Sequence, residues 1–266
     1  MPTLPLYQVD AFTSLLFHGN PACVVPLTKW LPVETMRRIA AENAVPETAF
    51  FIDNGPEQPI ELRWFTPDIE MDLCGHATVA TAHVLVQHLG HCATVPLVFH
   101  TKSGNLRVTA SPSGYILDLP SRPASPAELP RELALAFGPK PREVRKARDY
   151  MLVFDSEKQI CDLQPDRTIL DRLDLGTGGI ICTARGEEVD FVSRFFTPQA
   201  TIFEDPVTGS AHCTLTPYWA DRLSKKQLTA RQLSARGGAL HCTLAADDRV
   251  LIKGHAVTYL EGRITL

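Results

Sequence analysis

The chain has 266 residues, 44% of them apolar and 21% charged, enough to bury the core of one large domain or of two domains of about 130 residues each. A net charge of −4 gives no electrostatic footing for nucleic acid or an anionic membrane surface, and no apolar run approaches the roughly 20 residues that a membrane span needs. Seven cysteines, scattered at 23, 74, 92, 161, 182, 213 and 242 with no CxxC pair, argue against a disulfide framework and a structural zinc site; with no basic and apolar leader in MPTLPLYQVDAF, the expected compartment is the cytosol.

In chain order, residues 32–43 read as a helix, with a proline near the first turn and Val33, Met36, Ile39 and Ala40 on one face. Glu47-Thr48-Ala49-Phe50-Phe51-Ile52 reads as a turn leading into an apolar strand. After Arg63-Trp64-Phe65-Thr66-Pro67, the glycine of Cys74-Gly75-His76-Ala77 opens a helix that continues through TVATAHVLVQHL and stops at Gly90. Residues 97–109 and 114–119 alternate as two strands joined by a Ser-Pro-Ser-Gly turn. The proline-rich stretch 120–141 is expected to connect two halves, with a short helix near 128–137, and the basic cluster 140–148 reads as a solvated face. Asp205-Pro206-Val207-Thr208-Gly209-Ser210-Ala211 opens a second helix through HCTLTPYWADRL. Arg236-Gly237-Gly238 punctuates late strands, and residues 256–266 read as a closing strand pair.

The two glycine-led helices belong to an internal repeat. Arg63-Trp64-Phe65-Thr66-Pro67 recurs 131 residues later as Arg194-Phe195-Phe196-Thr197-Pro198. Counted forward from the two prolines, Cys74 and Asp205 both fall seven residues on; counted back from the two arginines, Glu47 and Gly178 both fall 16 residues before. Several matched offsets in one order indicate a duplication. The picture is two similar α+β halves facing each other across a cleft.

A glycine turn that opens a helix leaves backbone N–H groups without intrahelical partners, and the macrodipole adds positive character there. Two such ends, at Gly75-His76 and Gly209-Ser210, make a site for a carboxylate; no GxxxxGK[ST] and no GxGxxG after a strand points to a nucleotide phosphate. Glu47, beside Phe50 and Phe51, is a partly desolvated carboxylate suited to act as a general base, and the repeat carries it only once. His76 is placed to hydrogen-bond a substrate or share a proton, and Asp205, the third candidate catalytic residue, either to steer a proton or hold a substrate amine or hydroxyl, or to cap the second helix. Gly75, Ala77, Gly209, Ser210 and Asn20 complete the candidate substrate-binding set. Cys74, a thiol at a helix N-terminus, is either an alternative acid/base or a small packing residue. No HxxxH, HExxH or CxxC pair offers metal ligands, so no metal is expected.

At these residues the sequence closely resembles the PhzF-like, or phenazine-biosynthesis-like, family. The match covers nearly the whole chain: VDAFTS and GNPA between Val9 and Ala22, ETAF at Glu47, RWFTP at Arg63, LCGHAT at Leu73, LDLP at Leu117, EDPVTGSAH at Glu204 and RGG at Arg236. The resemblance implies the diaminopimelate-epimerase fold: two pseudo-symmetric α+β domains, each a sheet wrapped around a central helix, in a homodimer. The expected domains are 1–118, joined by the last strand at 257–266, and 119–256. It also implies an isomerisation without metal or cofactor, with the family's base glutamate falling on Glu47, its histidine on His76, its aspartate on Asp205 and its serine on Ser210. The related two-cysteine epimerases match only at Cys74. The expected function is therefore a cytosolic isomerase that moves a proton on a small carboxylate. The alternatives are an amino- or hydroxy-acid racemase assisted by Cys74 and a non-catalytic metabolite- or protein-binding member.

Overall fold

The computed structural model describes residues 3–266. Its first elements in chain order are β1 (Thr3–Ala11), β2 (Asn20–Leu27), α1 (Val33–Asn43), β3 (Glu47–Ile52), β4 (Ile60–Phe65) and β5 (Glu70–Met71). There follow α2 (Gly75–Gln87), β6 (Leu97–Thr101), β7 (Gly104–Ser111), β8 (Gly114–Pro120), β9 (Ser125–Pro126), α3 (Arg131–Phe137), β10 (Glu143–Lys146) and β11 (Tyr150–Val153). Next come α4 (Glu157–Asp162), α5 (Arg167–Leu170), β12 (Ile180–Arg185), β13 (Phe191–Phe196), β14 (Glu204–Asp205) and α6 (Gly209–Leu223). The chain closes with β15 (Gln227–Gln232), β16 (Gly238–Leu244), β17 (Arg249–Gly254) and β18 (Ala256–Thr265). It divides into two compact units, one of Met1–Leu119 with Leu251–Leu266 and one of Pro120–Val250. No helix among the described residues is long and apolar enough to cross a membrane.

In the first unit, β2 runs parallel to β3, β3 antiparallel to β4, and β4 parallel to β6, while β1 lies between β2 and β18. Strands β2 and β3 are buried along almost their whole length, as strands covered on both faces must be. One cover is α2, apolar on every side, in which each residue from Gly75 to Leu85 is buried. Its two inner threonines satisfy their hydroxyls on the helix itself, Thr78 on the Cys74 carbonyl and Thr81 on that of Ala77. The other cover is α1, whose Met36, Ile39 and Ala40 pack with Val25, Phe50 and Phe65. Val33, expected on that face, is 50% exposed at the first position of the helix.

The second unit repeats this script. β11 runs parallel to β12, β12 antiparallel to β13, β13 antiparallel to β14 and parallel to β15. Its buried helix is α6, and α3, α4 and α5 cover the other side through Leu133, Phe137, Ile160 and Leu170. Pro217 sits inside α6 and has no N–H for the carbonyl of Cys213; that carbonyl instead accepts from the Arg122 amide at 2.9 Å, so the proline leaves no buried acceptor unpaired. The duplicated arginines do the same work twice. Arg63 grips Glu70 with two bonds of 2.7 and 2.9 Å, and Arg194 grips Glu204 with two bonds of the same lengths.

The ladders correct the registers counted from the sequence. Thr48 pairs with Phe65 and Ile180 with Phe196, so the counterpart of Glu47 is Gly179, not Gly178; the second hairpin is one residue shorter. Met71 faces Trp64 as Asp205 faces Phe195, so Asp205 stands at the position of Met71. The partner of Cys74 is Thr208, each being the N-cap of its unit's buried helix. Between the aromatic that ends each duplicated strand and the glutamate that follows, the second half has residues 197–203 where the first has only 66–69, three more. Elsewhere, 97–109 is not one strand but β6 and β7, split by a tight turn in which Gly104 takes φ +88° and its carbonyl accepts from Thr101 Oγ1 at 2.7 Å. Residues 256–266 form one strand rather than a pair. The basic cluster is no plain solvated face: it contains β10, and Arg145 Nε bonds the Ala124 carbonyl at 3.0 Å.

Gly179 explains why the repeat carries its carboxylate once. A Cβ there would lie 2.4 Å from Phe195 Cζ and 2.8 Å from the Phe196 carbonyl oxygen. Gly179→Ala should therefore cost about 1–3 kcal/mol of stability, read as a lowered denaturation midpoint; an unchanged midpoint would show that the Phe195 ring and the strand yield freely.

Candidate active site

Four of the candidate residues meet in the first unit. Glu47 opens β3, where its backbone is paired with Ala22 of β2, and its side chain is only 13% exposed. Cys74 is the N-cap of α2 in extended conformation (φ −140°, ψ 114°), and His76 is the second residue of the helix. Asn20 begins β2 and is fully buried. The imidazole of His76 links them: Nδ1 lies 3.0 Å from Asn20 Nδ2 and 3.6 Å from Cys74 Sγ, while Nε2 lies 3.1 Å from Glu47 Oε2.

The last contact is the chemically unusual one. The two atoms are within ion-pair distance but misaligned for a hydrogen bond, and both are buried without another partner. Such groups are costly to leave unsatisfied in a core and are commonly kept for ligand or proton traffic. As a donor to Nδ1 the Asn20 amide places the neutral ring's proton on Nε2; the imidazolium carries one there too, and its second proton, on Nδ1, calls for the amide oxygen in place of the NH2. In either charge state an N–H faces Glu47.

Burial by itself would lower the pKa of His76, but Cys74 and Glu47 beside it outweigh burial and hold it well above the ordinary histidine value. Burial, reinforced by the charge of Glu47, pushes the Cys74 thiol up to about 11, against the smaller downward pull of His76. A thiol so placed is neutral at pH 7, so the charge that stabilises an imidazolium is the Glu47 carboxylate. Glu47, Cys74 and His76 also bring ligand-type atoms within 4.8 Å of one another, and a metal ion would be held here if anywhere among the described residues. Pair motifs such as HxxxH do not disclose this set because its members come from β3 and from the start of α2.

The remaining first-unit candidates, Gly75 and Ala77, are buried in the first turn of α2. Asp205, Gly209 and Ser210 lie in the second unit. Asp205 does not cap α6; the N-cap is Thr208, and its hydroxyl donates to Asp205 Oδ2. Neither α2 nor α6 receives a side-chain cap, whereas the surface helices α4 and α5 are capped by Ser156 and Asp166. Two residues that sequence reasoning passed over shape the start of α6. Gln232, fully buried, accepts from the Thr208 amide at 2.8 Å and donates to the Asp205 carbonyl at 2.7 Å. Arg148, at the end of the basic cluster, donates to Ser210 Oγ at 3.2 Å. Nothing local in the sequence marks either Gln232 or Arg148.

Residues 9–262 match the family described as phenazine biosynthesis-like protein, PhzC-PhzF. An uncharacterized isomerase of Pseudomonas aeruginosa is 46% identical over 263 residues, covering 99% of both chains. A crystal structure of a phenazine biosynthesis protein of the PhzF family from Enterococcus faecalis is 44% identical, covers 100% of both chains and superposes with a TM-score of 0.92. A predicted epimerase of Pseudomonas aeruginosa, at 19% identity and a TM-score of 0.77 over 99% of both chains, shares the fold. This chain, an α+β protein, belongs to the PhzC-PhzF family of phenazine biosynthesis-like proteins.

Proposed function

We propose that this chain is an isomerase that moves a proton on a small carboxylate without metal or organic cofactor, with Glu47 as the base and His76 as its partner. The observation that carries the reading is the buried contact of 3.1 Å between Glu47 Oε2 and His76 Nε2, misaligned so that neither atom has a hydrogen bond made within the protein. A carboxylate that can take a proton, beside an N–H that can polarise or reprotonate, is the minimum apparatus for a proton shift. The relatives described as isomerases support the same class. In the second unit, Asp205, Gly209 and Ser210 are the proposed substrate contacts, at a helix start suited to an anionic oxygen. Gly75 and Ala77 serve the same purpose at the start of α2.

Two observations disfavour racemisation by the thiol. With its pKa near 11, Cys74 is present as thiolate at about one part in 10⁴ at pH 7. Its counterpart in the repeat is Thr208, so no second cysteine stands in the corresponding place. Incubation with a panel of unsaturated, hydroxy and amino carboxylates in deuterated water, followed by NMR, tests the reading. Label should enter one substrate carbon, and Cys74→Ala should keep most of the activity. An inactive Cys74→Ala beside an active Glu47→Gln would hand the chemistry to the thiol.

A further inference from the structure

The duplication places Ser210, second residue of α6, where the first unit has His76, second residue of α2. Each is approached by a side chain from the start of a neighbouring strand in its own unit. Asn20 reaches His76 Nδ1 at 3.0 Å, and Arg148, two residues ahead of β11, reaches Ser210 Oγ at 3.2 Å. Arg148 is itself anchored: its Nε bonds Asp149 Oδ1 at 3.2 Å, and the same oxygen accepts from the Gly179 amide at 2.8 Å. Asp149 is 2% exposed, so this chain of contacts is set in the core. Gly179 is the counterpart of Glu47. The position that supplies a carboxylate in one unit thus supplies, in the other, the N–H that anchors a carboxylate and a guanidinium ending on Ser210.

We propose that Arg148 is a positioning residue that fixes Ser210 as a hydrogen-bond donor, so that this subsite takes a carboxylate or carbonyl oxygen of the substrate and rejects an amine. The inference rests on Ser210 as a substrate contact. A hydroxyl has one proton and two lone pairs, and a guanidinium only donates. Arg148 therefore occupies a lone pair of Oγ, and the Ser210 proton points elsewhere. Asp149 offsets the guanidinium charge, so the selection comes from the Ser210 proton and the positive end of α6, which favour an acceptor oxygen over an ammonium group that has no lone pair. Asn20 does the equivalent for His76 by leaving the proton on Nε2. Both helix starts are thereby built as donors by a side chain outside the helix.

The test uses acetate and methylammonium as probes of the full-length, ¹⁵N-labelled protein, with the Ser210 amide signal as the readout. Acetate should shift it saturably and methylammonium should not, a comparison that needs no variant. Arg148→Gln should weaken acetate binding on the order of tenfold or more, the scale of one charge-assisted hydrogen bond, while Arg148→Lys keeps most of it. Rescue by lysine separates positioning from a merely structural role. The readout is binding at Ser210 and involves no turnover, so failure of the base assignment and failure of this inference are told apart. No saturable acetate shift at Ser210, a preference for methylammonium, or equal acetate binding by the wild type and Arg148→Gln would each overturn it.

Discussion

Glu47→Gln is expected to lower turnover by about 10²–10⁴-fold, the usual loss on removing a positioned general base, with little change in fold. Glutamine keeps the size of the side chain, and the backbone pairing of Glu47 with Ala22 does not depend on it. What disappears is the anionic oxygen 3.1 Å from His76 Nε2. The neighbouring imidazole reports this independently of any substrate. Part of the upward shift of His76 comes from Glu47, so the variant's His76 should titrate at a lower pH than in the wild type. The sign carries to stability. A histidine whose folded value is raised contributes stability that is fully present below the unfolded value of about 6.5 and fades as the pH rises through the folded value. Glu47→Gln should therefore lose stability relative to the wild type at acidic pH and converge with it at alkaline pH. Normal turnover together with an unmoved His76 titration would remove Glu47 from both roles.

The features that could be read from the sequence were those written in local grammar. A repeated arginine-aromatic-Phe-Thr-Pro string and two glycine-led apolar helices suffice to find the duplication, because strand, turn and buried helix each have a sequence signature. Glu47, Cys74 and His76 could be nominated, but not the contacts among them, since those depend on β3 lying beside β2 and on the position of α2. Residue counting erred where loops differ in length. One residue fewer in the β12–β13 hairpin moved the counterpart of Glu47 to Gly179, and three more before Glu204 moved that of Cys74 to Thr208. Arg148 and Gln232 were missed for another reason: both are ordinary polar residues whose meaning lies in one distant partner, Ser210 Oγ for the first and the Thr208 amide for the second. A basic run gives no indication of which of its arginines points inward.

The duplicated arginines provide an internal control on how further partners set the cost of breaking an ion pair. Both hold their glutamates with two bonds, yet their surroundings differ. Arg194 is 11% exposed along its side chain, and its Nη1 also donates to the carbonyls of Ile160, at 3.2 Å, and Leu163, at 2.7 Å, which close the C-terminal end of α4. Arg63 is 23% exposed, and its partner Glu70 has a second cation in Lys102 at 2.7 Å. Arg194→Met leaves a half-buried carboxylate without its guanidinium and the Leu163 carbonyl without its donor, while that of Ile160 keeps the Leu163 amide at 3.4 Å. It should cost about 3–5 kcal/mol, as removal of one member of a buried pair does. Arg63→Met leaves Glu70, itself only 12% exposed, still paired with Lys102, and should cost less, about 1–3 kcal/mol. Denaturant titration of the two variants side by side measures the difference. Equal costs for the two would mean that Lys102 does not compensate Glu70 for the lost guanidinium.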